Sequence, residues 1–141
     1  MAFAGIHYVA VLCAAVASWL VGAGWYTLLA RPWLIALGKT RTELLGPSGK
    51  PSPVPFVVSF LAELVMALVL AQVLLRLGTG RVTVANGIVT GALLWLGFVL
   101  TTLSVNHGFS RQQPMLTAID GGHWLAVLVV QGAVLGLLAG S

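Results

Sequence analysis

Charge is scarce in this chain: 141 residues hold seven Lys and Arg and only three acidic side chains, Glu43, Glu63 and Asp120. At 59% hydrophobic residues and a mean hydropathy of +1.02, a soluble domain would lack the polar surface needed to stay dispersed. Cysteine is nearly absent. Cys13 stands alone, so no internal disulfide can form, the redox compartment leaves no mark, and a small-hydrophobe role is its default. There is no glycine-rich phosphate loop, no nucleophile elbow and no zinc motif. The formal charge of +4 could point to an anionic partner, but no basic patch with interleaved aromatics exists to follow a phosphate backbone, which argues against nucleic acid. Orientation signals and lipid headgroups account for the basic residues instead.

Long apolar runs are what the chain has in quantity. Four of them, at 6–30, 54–75, 82–105 and 119–140, contain only Glu63 and Asp120 as formal charges. A helix of about 20 apolar residues crosses the ~30 Å hydrocarbon core because it satisfies its own backbone hydrogen bonds where no water can. The runs predict an all-α integral membrane protein: four transmembrane helices with short loops, one domain over residues 1–141, and the lipid bilayer as solvent. No length is left for a separate soluble catalytic module, so any chemistry has to sit within the membrane or at its interface. A cleaved signal peptide is the rival reading of the first run. Met1 to Tyr8 carries no Lys or Arg and the run exceeds an h-region of about 7 to 15 residues, so it is expected to remain as a helix.

The loops carry the orientation signal. Loop one holds Arg31, Lys39, Arg41 and Lys50 against Glu43, loop two holds Arg76 and Arg81, and loop three holds Arg111. With four spans, loops one and three share a side and carry the larger basic count. The positive-inside bias therefore predicts a multi-pass cell-membrane protein with both of these loops in the cytoplasm and both termini outside. Pro32 and Trp33 after Arg31 suggest an interfacial stop. Thr40 and Glu43 have capping-box spacing, cut short by Gly46, Pro47, Ser48 and Gly49, which predicts a short interfacial turn. Residues 50–55 predict an extended lead-in to the second span.

Within the spans, small residues recur. Ala10, Ala14, Ser18 and Gly22 stand four apart with Tyr26 continuing the row, Gly132, Gly136 and Gly140 repeat the device in the fourth span, and Gly87 and Gly91 in the third. That interval lets helix backbones approach closely where lipid is as apolar as leucine, so a compact bundle is expected, with seams suited to a homo-oligomer. Glu63 stands near the middle of the second span on a face with Ser59, Ala67 and Ala71. A charge at the bilayer centre costs ~2.5 kcal/mol or more, so Glu63 has to face protein or water. Two readings stay open: a neutral Glu tying helices together through Gln131 or Thr90, and a site for a proton, a cation or a substrate.

A second polar group gathers where spans one, three and four reach the shared loop face. Trp25, Tyr26 and Arg31 end span one, Thr101, Thr102, Ser104, Asn106 and His107 end span three, and Asp120 and His123 open span four, with Arg111 in the loop between. Asp120 before Gly121 and Gly122 has the chemistry of an N-cap. His107 and His123 can be interfacial residues whose polar tips reach water. Asp120, His123 and His107 are also the candidates for a general acid or base near neutral pH. Asp120 and His123 share a helical face, yet a third ligand would be His107 by guesswork, so no metal site is assigned and nothing calls for a cofactor.

Gly24-Trp25-Tyr26 with Pro32-Trp33, Val105-Asn106 with Phe109, and Ile119-Asp120-Gly121 before a glycine-rich last span resemble a bacterial membrane family catalogued as domain of unknown function 1761. The likeness covers nearly the whole chain. It implies a small four-span protein and brings no settled activity. The chain departs from the pattern in having Gly122-His123 where an aromatic typically follows the Asp-Gly pair. Three functions fit these residues: a transport- or channel-like component whose site around Glu63 admits a small ion from the face of loops one and three; a membrane-embedded enzyme acting on a lipophilic substrate; and an assembly subunit. The transport reading ranks first, and because four helices enclose little volume it expects a homo-oligomer.

Overall fold

His7 opens the first span by accepting the Ala10 N–H on its Nδ1 at 3.0 Å, which satisfies one of the orphan donors of a helix start. From that cap α1 (Tyr8–Leu28) runs as an uninterrupted apolar helix. A computed structural model describes residues 3–140, and among these there is no strand. After α1 come α2 (Ala30–Leu37), α3 (Arg41–Leu45), α4 (Val54–Arg76), α5 (Val84–Leu94), a π-helical segment Trp95–Leu100 leading into α6 (Thr101–Phe109), and α7 (Pro114–Ala139). Four helical stretches are long and apolar enough to cross a membrane: α1, α4, the continuous Val84–Phe109, and α7.

The boundaries differ from the sequence expectation in four places. Pro32 and Trp33 do not stop a helix: α1 ends at Leu28, Leu29 leaves helical geometry at φ −103, and α2 restarts at once. Pro32 is tolerated because it falls in the first turn of α2, where its missing N–H has no intrahelical acceptor. α2 is closed by Gly38 in the left-handed region at φ 71, with its N–H reaching the Leu34 carbonyl. The third span continues to Phe109, beyond residue 105, and the fourth begins at Pro114, ahead of residue 119. Proline at the first helical position and an extended Gln113 start α7 there, so Asp120 lies in its second turn and is not an N-cap. The lead-in to α4 is also shorter, since the helix begins at Val54 and contains Pro55. Thr40 does cap α3, accepting the Glu43 N–H at 3.3 Å, and the helix ends at Gly46.

α7 is the axis of the bundle and packs against α1, α2, α4 and α5. Glycine makes its seam with α5. A methyl group on Gly87 would stand on the Gly132 carbonyl, one on Gly132 on the Gly87 carbonyl, and one on Gly91 2.5 Å from the Leu128 carbonyl. Backbone on backbone is the closest packing two helices can reach, and it replaces the solvent-driven association that lipid does not supply. Towards the termini and loop two, the space between α1, α4 and α7 is filled by Ala10, Ala14, Ala67, Leu70, Leu74 and Leu135, all buried. The other half of the same interior is polar.

Candidate functional site

Glu63 lies on α4 and is 1% exposed. Its Oε2 accepts the Ser18 hydroxyl of α1 at 2.7 Å. Gln131 of α7 donates its Nε2 to Ser18 Oγ at 3.0 Å and to the Glu63 backbone carbonyl at 2.9 Å. Ser18 and Gln131 are both fully buried, so three helices are tied by one cluster at mid-span. Of the partners expected from sequence, Gln131 is present through the backbone of Glu63. Thr90, half-buried on α5, makes no hydrogen bond to it, and Ser59 instead accepts the indole N–H of Trp19 at 3.1 Å.

From Glu63 towards loops one and three the polar side chains continue. Gly22 of α1 is the junction: the position a methyl group would take on it lies 2.7 Å from His123 Nε2 and 3.8 Å from Glu63 Oε1. Only the missing side chain leaves the imidazole its room, with the Glu63 carboxyl at van der Waals distance beyond. His123, 6% exposed, makes no hydrogen bond, and its Nδ1 is buried without a partner. Besides Gly22, its ring packs against those of Tyr26 at 4.9 Å and Trp124 at 4.6 Å. Tyr26 in turn donates its hydroxyl to Asp120 Oδ1 at 2.7 Å. Between Asp120 and Gln131 the string climbs α7 by eleven residues, about 16 Å at the helical rise of ~1.5 Å per residue.

The segment Asp120-Gly121-Gly122-His123 is shaped by what it receives. Trp25 lays its ring where a side chain on Gly122 would be, 2.7 Å from that position, and donates its N–H to the Ile119 carbonyl at 3.0 Å. Trp95, the first residue of the π segment, donates to the Gly121 carbonyl at 2.7 Å. Trp33 on α2 packs edge-on against Tyr26 at 5.6 Å, placing α2 over the loop end of the string.

Asp120, His123, Tyr26 and Glu63 are therefore brought together, and Trp25 packs beside them. Arg31, Asn106 and Arg111 are not: all three are exposed. His107 lies apart, its Nδ1 2.9 Å from Thr117 Oγ1. That pair lines an open cavity of about 430 Å³ between α6 and α7, with Leu100, Ser104 and Gln112. Among the described residues no three His, Cys, Asp or Glu side chains converge to hold a metal ion. The residues that sequence reasoning missed as site members are Ser18 and Gly22. Both stand in the small-residue row, and Ser18 was the one polar member at the depth of Glu63.

These features define a four-span membrane protein with an ionisable string buried in one half of its bundle. The family model described as a protein of unknown function (DUF1761) matches residues 9–136, and the chain belongs to that family. No curated protein and no solved structure matches it.

Proposed function

We propose that this protein is a transport- or channel-like component in which Glu63 is an intramembrane ion site reached from the face of loops one and three. One observation carries the reading: Glu63 and His123 flank the same glycine, and His123 leads through Tyr26 to Asp120 near the end of the bundle. A histidine that merely braced helices would give at least one ring nitrogen to a partner, as buried polar groups do. His123 leaves its buried Nδ1 without one, which suits a group that takes and passes a proton. The apolar packing of Ala10, Leu70, Leu74 and Leu135 ends the string at mid-span, so a complete path would form only between copies of the chain. The enzyme reading is less well supported, because the His107 cavity is not lined by Glu63, Asp120 or His123.

The test is ion flux in proteoliposomes, using the full chain and the near-isosteric Glu63→Gln. Wild type should carry protons, Na⁺ or K⁺ down an imposed gradient, and Glu63→Gln should fold and carry none. Equal flux in both, or wild-type flux no greater than in empty vesicles, overturns the reading. The larger basic count of loops one and three supports an orientation with the mouth of the string in the cytoplasm and both termini outside. Single cysteines at Ser48 and Thr79 in a Cys13→Ser background test this: reagent confined to the cytoplasm should label position 48 only, and labelling at 79 reverses the orientation.

A further inference from the structure

We infer that the ion Glu63 accepts is a proton and that the Ser18 hydroxyl is the rotor that satisfies both of its protonation states. The inference rests on the reading of Glu63 as an ion site and names what that site takes. The Gln131 prong that faces the cluster touches the Glu63 backbone carbonyl at 2.9 Å, and a carbonyl only accepts, so that prong is the NH₂. Both of its hydrogens are then used, one on that carbonyl and one on Ser18 Oγ. Ser18 keeps one hydrogen to give and one lone pair to offer.

It has two places to give that hydrogen: Glu63 Oε2 at 2.7 Å and the Ala15 carbonyl, one turn back in α1, at 3.1 Å. With Glu63 ionised, Ser18 donates to Oε2. When one proton arrives from solvent and settles on Oε2, the new O–H donates to the free lone pair of Ser18, and the Ser18 hydroxyl turns to Ala15. One proton has entered, one O–H bond has formed and no heavy atom has moved. Oε2, already 2.7 Å from Ser18 Oγ, is the oxygen whose proton meets an acceptor in place. An alkali cation needs lone pairs turned towards it, whereas the hydroxyl and the amide present hydrogens to this carboxylate and its backbone. The titratable groups facing Glu63 are few: His123 from α7, with Tyr26 of α1 lying on its ring, and none from α5.

Infrared difference spectra of the purified full chain, taken across pH in choline chloride, NaCl and KCl, test this. A protonated-carboxyl band absent from Glu63→Gln is expected, with the same midpoint in all three salts. Ser18→Ala should raise its frequency, since the neutral acid loses its acceptor. Ser18→Cys, with a weak acceptor in the same place, should lie between and decides the point if Ser18→Ala does not fold. A midpoint lower by about one pH unit in NaCl or KCl, a tenfold change in proton affinity, overturns the proton assignment and leaves Glu63 an ion site. No Glu63-dependent band in any salt overturns both. A Ser18 variant band at the wild-type frequency overturns the rotor.

Discussion

The two halves of the third span meet α7 in opposite ways. Its first half, α5, lies on α7 with Gly87 and Gly91 against the backbone at Gly132 and Leu128. Its second half, from Trp95 to Phe109, has no buried residue, and leaves the 430 Å³ cavity between itself and α7. The difference is in the glycines: those of α5 face a backbone, whereas Gly97 and Gly108 have open space where a side chain would go. The π segment marks the change. Thr101, Thr102 and Ser104 donate their hydroxyls back to the carbonyls of Gly97, Phe98 and Leu100, all inside it. Such back-bonding bends a helix and satisfies hydroxyls that no other helix meets.

The comparison breaks most sharply with one substitution made in both halves. Gly132→Leu should exceed the ~1–3 kcal/mol usual for overpacking, because it meets backbone that cannot rotate aside. Gly97→Leu should change stability by no more than about 0.5 kcal/mol. Thermal unfolding in detergent reads both, and similar melting temperatures would mean that the seam is not what holds the span.

A smaller effect separates two glycines of α1. Gly22→Ala sets a methyl against His123 Nε2 and should cost ~1–3 kcal/mol. Gly24→Ala has open space and should gain up to about 1 kcal/mol of helix propensity. Equal effects at 22 and 24 would show that the imidazole yields freely.

The smallest expected effects return to the third span. Trp95→Phe removes the indole donor from the Gly121 carbonyl and should cost about 1 kcal/mol, while Thr102→Val, whose hydroxyl serves only its own helix, should be near neutral. A Thr102 loss as large as that at Trp95 would reveal a partner for the open half.

The glycine seam was legible because Gly132 and Gly87 carry no chemistry other than their size, so their spacing on apolar helices states their use. Glu63 was legible as an interior residue for the complementary reason, that lipid would not accept it. Ser18 was hidden among small residues that serve as spacers, and the π segment was hidden because an added residue per turn leaves no mark in a uniformly apolar run. The start of α7 was misplaced because Asp120 followed by two glycines imitates a helix cap, while Pro114 held the actual position.

The number of spans follows from sequence alone, because apolar length against bilayer thickness is a property of each segment by itself, and so is the pairing of small residues with close helix contact. Which polar groups meet was decided by the tertiary structure. Glu63 finds Ser18 at a separation of 45 residues, and Tyr26 finds Asp120 at 94. Each depends on the depth and rotation of whole helices, and these are set by the backbone contacts of α7 with its neighbours and by nothing within the four or five residues on either side of the side chain concerned.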